Sequence, residues 1–231
     1  FQAANSLASV YHADGKYGEA ERLYRRALAI REKAQGPQHL DLAVSLNNLA
    51  AVLYAQGKSA DAETLYRRAL AIREKALGPL HPDLVRSLNW LAAVVYAQGK
   101  HALVEQLYRR ALAIQEKDLG PTSPGIADTL SNLALICAEQ GKYAEAESLY
   151  RRFLAIRERA AGAESAEVAR ALQTLATILH PQGKYAEAEP LLRRALAIRE
   201  KLLGPRHLDV AESLVALALP YADQGRYAEA E

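Results

Sequence analysis

The chain has 231 residues, half of them hydrophobic, enough for one large domain or two ordinary ones with a substantial buried core. Its 29 basic and 27 acidic residues leave a formal charge of +2, which excludes a whole-molecule field drawing it to nucleic acid, a membrane surface or an acidic substrate. A lone cysteine, Cys137, excludes an internal disulfide, and no apolar run nears the roughly 20 residues that span a bilayer. The first residues, Phe1 to Asn5, lack the regions of a signal peptide, so a cytoplasmic location is expected.

Along the chain, glycines set the frame. Gly15, Gly57, Gly99, Gly141, Gly183 and Gly225 fall 42 residues apart, and Gly36, Gly78, Gly120, Gly162 and Gly204 repeat that spacing without insertion or deletion. Each unit is therefore two segments, and the units run 1–36, 39–78, 81–120, 123–162, 165–204 and 207–231. The first unit begins inside its first segment, and the chain lacks an initiator methionine. In the second unit, Asp41 to Gln56 carries Leu42, Leu46, Leu49, Ala50 and Leu53 at helical spacing, and Asp61 to Ala76 carries Ala62, Leu65, Tyr66, Ala69, Leu70 and Ile72, so both are expected to be amphipathic helices. The column His39, His81, Ser123, Ser165 and His207 stands where an N-cap belongs, with Pro82 and Pro124 following at the expected first turn. Carboxylates one residue further on (Asp41, Asp83, Glu167, Asp209) and bases late in the second segments (Lys75, Lys117, Arg199, Lys201) suit the helix dipoles.

Small residues recur where helices must approach, at Ala8, Ala50, Ala92, Ala134, Ala176 and Ala218 and again at Ala27, Ala69, Ala111 and Ala195, while Leu49, Leu91, Leu133 and Leu175 face Tyr24, Tyr66, Tyr108 and Tyr150. Hairpins patterned in this way can bury their faces only on one another. The last unit stops at Glu231, a few residues into its second helix, so both ends are expected to be cut mid-repeat with the natural protein continuing. Pro220 is expected to kink or fray the last first-helix, leaving that unit the loosest.

Leucine-alanine in the first helix, the Gly141-Lys142-Tyr143 turn, and alanine and tyrosine in the second resemble the tetratricopeptide repeat. The usual unit is about 34 residues. A 42-residue period with the stretches Leu65 to Asp83 and Ser45 to Ala50 is similar to the kinesin light chain variety. The resemblance covers the whole chain and implies an all-α, right-handed superhelical solenoid of antiparallel hairpins whose first helices line a concave groove. It also implies a non-enzymatic protein-protein interaction scaffold binding a peptide of a partner.

On that groove one column reads Asn5, Asn47, Asn89, Ser131, Gln173 and Val215, and its neighbour Ser6, Asn48, Trp90, Asn132, Thr174 and Ala216. Asparagine is a poor helix former, and its amide suits clamping a peptide backbone, as the similar ladder of kinesin light chains does. The match is good for Asn47, Asn48, Asn89 and Asn132; these amides either hold a ligand or bond between adjacent helices. Arg86 and Arg170 are placed to meet carboxylates, while Asp128, Glu139, Glu212 and Asp223 make the later groove more acidic; with Trp90, Tyr54 and Tyr96, residue types that anchor interfaces, an acidic peptide with an aromatic anchor, met by the first half, is the expected partner. Trp90 equally suits packing between repeats.

The doublets Arg25-Arg26, Arg67-Arg68, Arg109-Arg110, Arg151-Arg152 and Arg193-Arg194 could form a nucleic-acid stripe, yet Glu21, Glu63, Glu105, Glu147 and Glu189 stand four residues before each first arginine and no aromatics interleave. His39, His81 and His207 lie a repeat or more apart, and Cys137 follows Leu133 and Ala134 on the packing stripe, so neither a metal site nor a nucleophile is expected. No phosphate loop, serine elbow or acid-base pair is present, and similar groups shown six times over do not make one active site, so no cofactor, no enzyme activity, no nucleic acid and no membrane are expected. The alternative function is a sensor or regulatory array contacting the effector domain of its own larger protein. Exposed end hairpins are expected to favour end-to-end self-association.

Overall fold

A computed structural model describes residues 2–223 and 225–226, with the side chains of residues 2 and 3 outside that description. Eleven α-helices are present among the described residues and no strand: α1 Gln2–Ala13, α2 Tyr17–Gln35, α3 Leu40–Ala55, α4 Ser59–Leu77, α5 Leu84–Tyr96, α6 His101–Leu119, α7 Ala127–Glu139, α8 Tyr143–Ala161, α9 Ala166–Leu179, α10 Tyr185–Leu203 and α11 Leu208–Asp223. The second helix expected before Glu231 lies outside the described residues. The contacts divide the chain into two compact units, residues 1–118 and 119–231. In the first unit α1 packs on α2, α2 on α3, α3 on α4 and α4 on α5. In the second, α7 packs on α8, α8 on α9, α9 on α10 and α10 on α11. No helix among the described residues is long and apolar enough to cross a membrane.

The punctuation read from the sequence has a backbone cause. Gly57 holds φ +77°, its N–H reaching Tyr54 O while Lys58 N–H closes back on Leu53 O at 2.9 Å, the six-residue closure that terminates a helix in the left-handed region. Gly78, after the second helix, holds φ +90° with ψ 160°, a region essentially reserved for glycine. The cap column acts as expected. His39, His81 and His207 each accept, at Nδ1, the N–H of the residue two further on at 3.2 Å; Ser123 Oγ accepts from Gly125 N–H and Ser165 Oγ from Val168 N–H.

Two local expectations change. Pro82 and Pro124 precede the α-helices instead of opening them: the turn at Pro82 is closed by the tighter Val85 N–H to Pro82 O bond, and Pro124–Ile126 form a 3-10 turn, so α5 and α7 start late. α11 runs unbroken through Pro220, whose ring is buried.

The interior follows the repeat. Leu42, Leu46 and Ala50 of α3, Leu84, Leu88 and Ala92 of α5, and Leu130, Leu133 and Ala134 of α7 are inaccessible to solvent or nearly so. The arginine doublets hold the hairpins together. Each first arginine pairs with the glutamate one turn before it, at 2.7–3.0 Å. Second arginines reach back one hairpin: Arg68 to Glu32, Arg110 to Glu74 and Arg194 to Glu158, with Arg194 also donating to Ala163 O at 2.9 Å and Arg152 to Pro121 O at 3.4 Å. The glutamates take a second partner from the next turn, Lys58 on Glu21, Lys100 on Glu63 and Lys184 on Glu147. The hydrogen bond from Lys100, joined by those from Arg67 and Gln98, holds the Glu63 carboxyl down to about 2 against the opposing effect of burial.

Candidate functional site

From the second helices, Arg73 of α4 and Arg199 of α10 each reach between two neighbouring first helices, and Arg31 of α2 reaches α3. Arg73 shows the usual arrangement. It is 6% exposed, donates from Nη1 to Ser87 Oγ of α5 at 2.6 Å, and lies 2.7 and 3.1 Å from Asn47 of α3 when that amide is turned to accept. Arg199 repeats this with Gln173 of α9 and Ser213 of α11, and Arg31 donates to Ser45 Oγ at 3.0 Å. Arg73 and Arg199 are buried with neutral partners, and Arg31 is half-buried. For Arg73, burial lowers the pKa, the nearby Arg86 adds to the effect and Asp83 opposes it.

The fourth repeat breaks the pattern. The positions matching Asn47 and Ser87 are Ser131 and Ala171, one too short and the other without a hydroxyl, and Phe153 stands where the other second helices have Ala27, Ala69, Ala111 and Ala195. Arg157 therefore turns outward, pairs with Asp128 and lies 3.7 Å from Glu167, its guanidinium 5.5 Å from the Phe153 ring centroid. A cavity of about 620 Å³ opens between α7, α8 and α9, with Tyr150, Phe153 and Leu135 as apolar walls and Asn132, Arg157, Arg170 and the carboxylates Asp128 and Glu167, both beside Arg157, as polar ones. Tyr150 and Phe153 pack with ring centroids 4.9 Å apart. Arg170 is exposed and makes no salt bridge among the described residues.

The structure distributes the residues singled out in the sequence as follows. Asn132 and Arg170 share the cavity. In the first unit, Arg86 and Trp90 sit together, the guanidinium 5.1 Å from the indole centroid and the Tyr66 ring 6.1 Å away; Trp90 is 36% exposed. The Tyr66 hydroxyl is pushed up to about 12 by burial, with Tyr54 adding to it. Asn47 is 4% exposed and engaged with Arg73, the interhelical role, while Asn48 beside it is half-buried. Asn5 and Asn89 are half-buried, each with an Oδ1 that lacks a hydrogen-bond partner; in the repeat of Asn89 the usual arginine is Gln115. Tyr54 and Tyr96 are exposed at the ends of α3 and α5, Tyr96 edge-on to His101 at 5.4 Å. Phe153 and Ala171 were not singled out in the sequence, although each departs from its column; Arg157 carries no such signal, because arginine is the usual residue at its position.

A family model described as tetratricopeptide repeat matches residues 1–75, 41–117, 83–159 and 167–231. No curated protein matches. Among solved structures, the chain is similar to a putative kinesin light chain with nearly identical TPR-like repeats from Podosopora anserina (27% identity, 87% of this chain and 96% of that one, TM-score 0.76). It is also similar to BtubC (BKLC) from P. vanneervenii (25% identity, 94% and 84%, TM-score 0.71). Aspartyl phosphate phosphatase F from Bacillus subtilis shares the fold at 15% identity, over 98% of this chain and 66% of that one, with a TM-score of 0.65.

Proposed function

Since the chain belongs to the tetratricopeptide repeat family, we propose that it is a non-enzymatic interaction scaffold that binds a peptide segment of a partner protein along its first helices. The observation that carries this reading is the open cavity at Phe153, which joins an apolar floor to Asn132 and to the unpaired cation of Arg170. Amides placed so can bond a peptide backbone whatever its side chains, while a guanidinium without a carboxylate of its own favours an acidic ligand. In the first unit, Arg86 over Trp90 offers the same pairing of cation and aromatic surface, with Asn48 in the matching amide column.

Fluorescence anisotropy with an array of labelled peptides varied in acidic and aromatic content tests it. Selective binding of acidic peptides is expected, weakened about tenfold or more by Arg170→Ala and by Asn132→Ala with helicity unchanged. Absence of selective binding to the unaltered chain would contradict the reading and point to an array that contacts its own effector domain.

A further inference from the structure

A second cavity, of about 220 Å³, lies further along the same helix. α9 gives Thr174 to the cavity at Phe153 and Thr177 to this one, about 4.5 Å further along the helix axis. Its other walls include Leu192 of α10 and Ala216, Leu219 and Pro220 of α11, with His180 at the end of α9. His180 Nε2 stands 2.6 Å from Asp223 Oδ2.

Two coincident departures from the repeat account for the space. Leu192 occupies the column of Tyr24, Tyr66, Tyr108 and Tyr150, and Ala216 the column of Asn48, Trp90, Asn132 and Thr174. Between α4 and α5 these two positions meet as Tyr66 against Trp90; between α10 and α11 both side chains are smaller, and a side chain's worth of volume is left open. Such a space is nearly all hydrocarbon, so water finds few partners in it, and a cavity of ~150 Å³ with aliphatic walls already takes a benzene ring. It is too small for a helix, which is about 10 Å across.

We propose that this cavity takes one apolar side chain, aliphatic or aromatic, of the same peptide whose carboxylate meets Arg170; the inference rests on the reading of the groove above. Arg170 and Thr177 are separated by about 10 Å along α9, which an extended peptide covers in about three residues. The partner motif is then a carboxylate followed or preceded, about three residues away, by an apolar residue.

The test uses labelled dodecapeptides of serine and asparagine carrying one Asp pair and one Leu, with the separation varied from about one to six residues around the value set by strand geometry. They are titrated into the full chain, Leu192→Tyr and Arg170→Ala. Leu192→Tyr restores the tyrosine of the other repeats, so it is expected to keep the fold and raise Tm by roughly 2–4 °C. Peptides with the right separation should bind about tenfold more tightly than their Leu→Ser counterparts, and Leu192→Tyr should erase that difference while leaving the dependence on Arg170. A Leu preference that survives Leu192→Tyr overturns the inference. Binding that depends on Arg170 without preferring Leu overturns it too, while sparing the groove; binding of none of the peptides removes both.

Discussion

Arg73 and Arg157, at equivalent positions, illustrate how one register serves two purposes. Where an amide and a hydroxyl face it, as at Arg73, the guanidinium is sealed in and closes the surface; where they are missing, as at Arg157, it leaves and a cavity remains. Arg73→Ala should therefore cost about 2–4 kcal/mol in urea unfolding, since it strands Ser87 and Asn47 and leaves a void. Arg157→Ala, which breaks only partly exposed pairs, should cost under about 1 kcal/mol. Equal costs would contradict the difference in burial. Glu63 gives a pH test. Its folded pKa lies near 2, below the ordinary 4.5, so its ionised form contributes stability that is fully present above pH 4.5 and lost as the pH falls toward 2. Thermal unfolding should show the steepest loss in that window, and Glu63→Gln should flatten it; an unchanged slope would mean that the Lys100 contact carries no such weight. That Asn47 faces inward was not readable from its residue type, because asparagine offers the same amide to a neighbouring arginine as to a ligand. The arginine that engages it lies 26 residues away on another helix.

Helix by helix, the sequence and the structure agree where the chemistry is local. The glycines after each helix, the histidine and serine caps and the glutamate-arginine pairs each depend on residues a few positions apart, and all stand where the period put them. The proline-bearing starts departed from expectation because Pro82 and Pro124 close tighter turns before the helices begin. α11 absorbs Pro220 into a buried position. Glycine separates two cases cleanly. Gly18 is in the first turn of α2 with open space around it, in a column otherwise filled by alanine, so Gly18→Ala should stabilise by up to about 1 kcal/mol. Gly78→Ala should destabilise by about 1 kcal/mol or more, because φ +90° is costly for any residue with a Cβ. Chemical denaturation of the two variants checks the contrast, and shifts of the same sign would contradict it.

Across the whole chain, the 42-residue period announced the architecture, because hairpins that bury their faces on neighbours leave few alternatives. The site was harder to find, since it resides in exceptions to that period: Phe153 in an alanine column, Ala171 in a hydroxyl column, Leu192 in a tyrosine column. Each looks like ordinary drift until the three-dimensional neighbours of the exception are seen together. A formal charge of +2 supplies little attraction of its own, so the proposed recognition rests on individual groups such as Arg170. The most direct test is to titrate the ¹⁵N-labelled chain with an acidic, leucine-bearing dodecapeptide and follow the amide and side-chain resonances. Shifts are expected to concentrate at Asn132, Arg170 and Thr174, around the cavity of α7, α8 and α9. Shifts confined to the arginine doublets, or none at a saturating concentration of peptide, would contradict it.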